Sequence, residues 1–208
     1  MSLRAARLPE LAALRRRTQA LAMLDAILSP EWEYRYFSHD ASWGAGLEMA
    51  SMRNGAGDDW FLLFGAFGAA VKGLAHETAL ARDGEFAARI RRELPPAFEE
   101  FLSEPAFDMA RATFCYWRAA GAPAWERVAP AQEPPDDGSD AMLALLVNPA
   151  LAYVEFATAY YEREMPLYPV TRIFAHAPLS PGLVASLDPE LDFEQAAAFA
   201  AEIGYPLA

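Results

Sequence analysis

The sequence is short of the residues that most site chemistries need. It holds one cysteine and three histidines in 208 residues, and Lys72 is its single lysine. A lone cysteine excludes an intramolecular disulfide and any cysteine-built zinc site. His39, His76 and His176 show neither HxxxH nor HxH spacing, so no metal site is expected. No run of 18 apolar residues occurs, which argues against a membrane-spanning helix. Gly55-Ala56-Gly57 runs into Asp58 and Asp59 rather than Lys-Ser or Lys-Thr, so it is not a phosphate loop. Ser51 lies outside any GxSxG context, and no nucleophile elbow is supported. Nothing in the chain calls for a cofactor.

Positive charge is also scarce where the chain ends. Residues 1–127 hold 15 basic and 17 acidic groups, whereas residues 128–208 hold 2 and 12. The net of -10 in the second segment would repel a phosphate backbone, so nucleic acid is not an expected partner. The same charge would attract a basic protein. Sixteen of the 17 basic residues are arginine and alanine occurs 44 times. That bias reads as a GC-rich bacterial coding sequence, so arginine in place of lysine carries no functional weight.

What is present supports a folded domain. Apolar residues make up 54% and charged residues 22%. That composition excludes global disorder, and the length suits a single domain over 1–208 with a sizeable core. The arginines near the N-terminus are not followed by an apolar core and a small-residue cleavage site. The chain is therefore read as cytoplasmic. Within residues 1–30, Leu11, Leu14, Leu21, Leu24 and Leu28 recur at helical spacing, which predicts an amphipathic helix over 9–28 with a basic outer face. A membrane-surface helix is disfavoured because the rest of the chain is acidic.

Residues 31–38 alternate and are aromatic, which predicts a strand. Asn54-Gly55-Ala56-Gly57 and Gly65-Ala66-Phe67-Gly68 are tight-turn signals. They divide the next stretch into strands at 46–53, 58–64 and 69–76. Connections this short force an antiparallel meander. Two short helices are expected at 84–93 and 96–103, then a strand at 110–118. Residues 129–140 form an acidic, proline-rich loop. Helices are expected at 139–147 and at 149–164, the latter capped by Asn148-Pro149 and facing inward with Leu151, Val154, Tyr161 and Met165. Residues 168–175 read as one more strand. A last helix over 193–203 has an Asp192/Gln195 capping box and ends at Gly204. The fold class is α+β: an antiparallel sheet of five or six strands around a central meander, with helices on at least one face.

The meander places candidate site residues, given four-residue turns and no bulge. Arg53 then pairs with Asp58, and Phe64 with Ala69. One face carries Leu47, Met49, Trp60, Leu62, Phe64 and Val71. The other carries Glu48, Asp59, Phe61, Leu63, Lys72, Leu74 and His76. Asp59 falls diagonally between Lys72 and His76, roughly 7–8 Å away at Cα. A carboxylate beside an imidazole can orient it and hold one tautomer, and a lysine can bind an anion. Glu48, Arg53, Asp59, Lys72 and His76 are thus the candidate binding residues, with Glu77 close by. No residue is singled out as catalytic. Solvated charges on a sheet face would give the same pattern. Arg53-Asn54 and Asp58-Asp59 also fit simple pairing across the hairpin mouth. His39-Asp40 reads as a connection between strands, and His176 as a strand end. Cys115 reads as a buried inert thiol, with no basic group placed to activate it.

The segments MASMRNGAGDDWFLLF, KGLAHE, FLSEPAF and TFCYWR, then NPALAYVEFATAYYE, HAPLS and EIGYP, resemble a family of uncharacterised bacterial proteins. The resemblance spans about 31–206. It implies one domain and carries no activity, cofactor or catalytic residue. Three functions follow as expectations. The first is a non-catalytic interaction module, like those in the class of immunity proteins, that binds a basic partner through its acidic surface and aromatic anchors. The second is a small enzyme or ligand-binding protein acting on an anionic molecule through Asp59, Lys72 and His76. The third is a self-associating structural protein. The oligomeric state is not readable from the chain.

Overall fold

The computed structural model describes residues 8–82, 84–132, 134, 136–148 and 150–208. Helix α1 spans Leu11–Leu28 and leads through a 3-10 turn, Trp32–Tyr34, into the sheet. Strands β1 (Phe37–Gly44), β2 (Leu47–Arg53), β3 (Asp59–Gly65) and β4 (Gly68–Leu74) follow directly. Helices α2 (Gly84–Glu93) and α3 (Glu99–Ser103) separate them from β5 (Phe114–Ala119) and the two-residue β6 (Glu126–Arg127). The remaining helices are α4 (Ser139–Met142), α5 (Ala144–Val147), α6 (Ala150–Tyr160), α7 (Leu167–Phe174), α8 (Pro181–Ala185) and α9 (Phe193–Ile203). The strands form one antiparallel sheet in sequence order, β1 to β6. The class is α+β.

Both sheet faces are covered. One apolar layer unites Phe37, Met52, Trp60, Leu62, Phe64, Val71 and Tyr116 with α1, α6, α7 and α9. The other joins Met49, Leu63, Ala70 and Cys115 to Phe86, Ile90, Phe101 and Phe107 of the α2–α3 region. Alternation along each strand sends successive side chains to opposite layers.

The turns set the register. Gly65 pairs with Gly68 around a two-residue loop, so Phe64 faces Ala69 as expected. Gly68 has φ +122, and a Cβ there would lie 2.1 Å from the Arg118 carbonyl oxygen, so only glycine fits. The β2–β3 connection differs from expectation by one residue. Arg53 pairs with Asp59, not Asp58. Asn54 closes a five-residue loop: its Oδ1 accepts from the Ala56 and Asp58 amides at 2.8 and 3.0 Å, and its Nδ2 donates to Asp58 at 2.8 Å. One added residue flips β2 relative to β3. Leu47 and Met49 therefore join the Phe61/Leu63 face, and Glu48 moves to the Phe64 face.

Other expectations are corrected. The stretch 31–38 is not a strand throughout. Arg35 turns back, donating to the carbonyls of Ser29 and Pro30 at 3.1 and 2.7 Å, and the strand starts at Phe37. Residues 110–118 begin as a 3-10 turn, with the strand starting at Phe114. Residues 168–174 lie in α7, with Ala175 as its C-cap: Pro169, Val170 and Ile173 form a buried helical face, and proline suits the first turn. That packing outweighs the β-branched composition. In α6 the buried residues are Tyr153 and Ala157, while Leu151 is 61% exposed. Residues 139–147 form two short helices, α4 and α5. The Asp192 side chain makes no cap bond, although Gly204 ends α9 in the left-handed region. The amphipathic reading of α1 holds only for its first turns. Residues 18 to 27 are buried all round because α7, α9 and the sheet enclose them. Arg4, Arg7 and Pro149 lie outside the described residues.

Candidate functional site

Strand β3 carries Asp59 next to two cations. Lys72 lies on β4 opposite Phe61, one step from Asp59 on the same face. Its Nζ donates to Asp59 Oδ1 at 2.8 Å and stands 5.1 Å from the Phe61 ring centroid. The Lys72 side chain is fully buried, and that of Asp59 is 24% exposed. Arg53, opposite Asp59 on β2, lays its guanidinium 4.1 Å over the Trp32 ring. Burial lowers the Arg53 pKa, and the Asp59 charge opposes that shift. Asp59 thus binds Lys72 directly and acts on Arg53 through charge alone, and each cation meets an aromatic ring.

His76 joins a different carboxylate. Its amide donates to Asp58 Oδ1 at 2.9 Å, and its Nδ1 lies 2.7 Å from the same oxygen. Burial opposes ionisation of Asp58. The His76 amide and ring, with the Asn54 amide, outweigh it and hold the carboxyl below its ordinary value. Gly57 leaves room for the ring: a Cβ there would come within 3.3 Å of it. The expected Asp59/Lys72/His76 constellation is therefore two separate pairs, Asp59–Lys72 and Asp58–His76.

Glu48 lies on the other face, in an arrangement that sequence reasoning missed. His39 is on β1, not in a connection. Its Nδ1 lies 3.0 Å from the Thr18 hydroxyl on α1, and its Nε2 lies 3.3 Å from Glu48 Oε2. Arg15 Nε approaches the same Glu48 oxygen at 3.1 Å, and its guanidinium stands over Phe64. The hydrogen bond from His39, then the Arg15 charge, hold the Glu48 carboxyl low against burial. The order hydroxyl, imidazole, carboxylate matches that of a base-activated nucleophile. Here Thr18 is 2% exposed and also donates to the Arg15 carbonyl oxygen at 2.9 Å, so no substrate reaches it. The arrangement locks α1 onto the sheet. Alternation of Phe37 and His39 on one face of a strand was the available signal.

Two further polar clusters are interior. Asp25 of α1 accepts from the Phe37 amide at 2.7 Å and from the Tyr153 hydroxyl at 2.8 Å. Its burial pushes the carboxyl up to about 6 despite those bonds. Asp137 pairs with Arg127 at 2.9 Å and accepts from the Ser139 amide and hydroxyl at 3.0 and 2.6 Å, and Tyr116 meets that hydroxyl at 3.1 Å. His176 is the C-terminal turn residue of α7, at φ +54, with its Nε2 donating to the Arg16 carbonyl at 2.6 Å. Cys115 faces Lys72 across the β4–β5 ladder, so a basic group does stand near it. Burial raises the thiol pKa far more than Lys72 lowers it, and the thiol stays protonated.

Among the described residues no group of three histidine, cysteine or acidic side chains could hold a metal, and no helix is long and apolar enough to cross a membrane. The outer surface holds most of the acidic groups after residue 128. Glu155, Glu162, Glu164, Glu190, Asp192, Glu194 and Glu202 are all exposed. The chain matches no protein-family model, and it is similar to no curated protein and no solved structure.

Proposed function

We propose that the chain is a non-catalytic, cytoplasmic interaction module that binds a basic protein, in the manner of immunity proteins. The surface of residues 151–168 carries this reading. Leu151, Tyr160, Leu167 and Tyr168 are exposed there, Tyr168 at 74%, and Glu155, Glu162 and Glu164 are exposed among them. Exposed aromatics with several acidic side chains along the same segment suit a partner of the opposite sign. Tyr160 stacks on Phe156 at 5.4 Å and meets Tyr36 edge-on at 5.1 Å, so little side-chain freedom is lost on docking. The alternative, an enzyme using Asp59, Lys72 and His76, asks Lys72 to meet a substrate. Its ammonium is enclosed and already bonded to Asp59.

The test is co-purification of the tagged protein from its native host at low and high salt, with Tyr168→Ala and Glu162→Lys/Glu164→Lys variants in parallel. One basic partner, lost at high salt and reduced by both variants, is the expected result. A partner held equally by all three proteins, or recovery of no basic protein, counts against the reading.

A further inference from the structure

We propose that a cleft between α1 and the C-terminal end of α7 binds a small oxyanion carried on a flat apolar body, such as an aryl phosphate or aryl carboxylate. The cleft is open to solvent, has a volume of about 300 Å³ and is lined by Ala13, Arg16, Arg17 and Phe174. A ligand the size of a substituted benzene fits this volume.

Charge accounting motivates the assignment. The chain has 29 acidic side chains, yet among the described residues none comes within ion-pair distance of Arg16, Arg17 or neighbouring Arg172. Arg15, Arg89, Arg111, Arg127 and Arg163 each find a carboxylate, whereas exposed arginines such as Arg91 and Arg92 also lack one among the described residues. What sets Arg16 and Arg17 apart is that both line one cleft beside an aromatic wall. Arg16 and Arg17 therefore bring two positive charges to one cleft in a protein of net charge -12.

The site is also held in place. Arg17 is half-buried, and its Nη1 donates to the Leu146 and Val147 carbonyls at the end of α5. That fixes one guanidinium at the cleft wall. The Arg16 carbonyl is pinned by His176, while among the described residues its guanidinium reaches only the Ala175 carbonyl, at 3.5 Å, and stays exposed. Arg16 therefore keeps donors for a ligand, and its planar fork matches two oxygens of a phosphate or carboxylate. Phe174 is fixed edge-on to Tyr153 at 6.0 Å and supplies the apolar wall.

The experiment titrates the full chain with phenyl phosphate, benzoate, inorganic phosphate and benzyl alcohol, followed by amide chemical shifts. Saturable shifts at Ala13 and Phe174 are expected with phenyl phosphate or benzoate, with a Kd of about 1 mM or tighter. Whichever of the two binds more tightly assigns the oxyanion. Arg16→Gln should weaken that binding at least about tenfold. Ala13→Leu, at an exposed helix position where folding tolerates it, should block the cleft without altering charge. Arg92→Gln, an exposed arginine on α2, should change affinity by less than about twofold. The proposal is overturned by absence of saturable shifts, by equal weakening in Arg92→Gln, or by benzyl alcohol or inorganic phosphate binding as tightly as the aryl oxyanions.

Discussion

Replacing Asp59 with alanine leaves the Lys72 ammonium enclosed with no carboxylate. Lys72 is fully buried between β3 and β5, and Asp59 is its one hydrogen-bonding partner among the described residues. Removing one member of a buried ion pair costs about 3–5 kcal/mol, chiefly from the stranded charge. Water reaches Asp59 over a quarter of its side chain and can partly replace it, so the low end applies, about 3 kcal/mol. In a chain of this length that lowers Tm by roughly 6–12 °C. Lys72→Met has the opposite logic. It fills the same volume, leaves Asp59 hydrated beside Arg53, and should cost about 1 kcal/mol or less. The double variant should recover most of the loss of Asp59→Ala, because the stranded charge is gone. Urea unfolding at neutral pH, followed by tryptophan fluorescence, measures all three with Trp60 in the core as a reporter. Equal losses in the two single variants, or a loss under about 1 kcal/mol for Asp59→Ala, would refute the argument.

Two further outcomes follow from buried groups. The Asp25 carboxyl is pushed up to about 6 from an ordinary 3.8, so the folded state holds a proton more tightly than the unfolded one. Its contribution is complete below about pH 4 and is lost as pH rises through about 6, for a total of about 3 kcal/mol. Asp25→Asn should remove that component, seen as the difference between wild-type and variant unfolding free energies from pH 4 to 7. A constant difference across that range would contradict it. Cys115 is fully buried and its thiol pKa is raised, so a thiol reagent should modify it at the rate of unfolding and not faster. Labelling that outpaces unfolding would place the thiol in a reachable environment.

The α+β class and the central meander were legible in the sequence, because the turn-forming runs 54–57 and 65–68 are too short for any parallel crossover. Helices α2 and α9 were legible from apolar spacing and, for α9, its closing glycine. The pairing of β3 with β4 was also fixed locally, since a two-residue loop admits one register. The tertiary structure decided what depended on neighbours. Asn54 folds its loop over five residues rather than four, and that single residue sends Glu48 to His39 and away from Lys72. Asp59 meets Lys72 through the β3–β4 register that the sequence already allowed, whereas Asp58, in the loop that Asn54 closes, takes His76 in place of Asp59. Residues 167–174 became helix because Val170 and Ile173 meet the core around α1, whose residues 18 to 27 are enclosed. Local sequence sets which turns and periods are allowed. Which face a strand shows, and which charge meets which, is fixed only when distant apolar surfaces close on one another and leave each buried polar group one available partner.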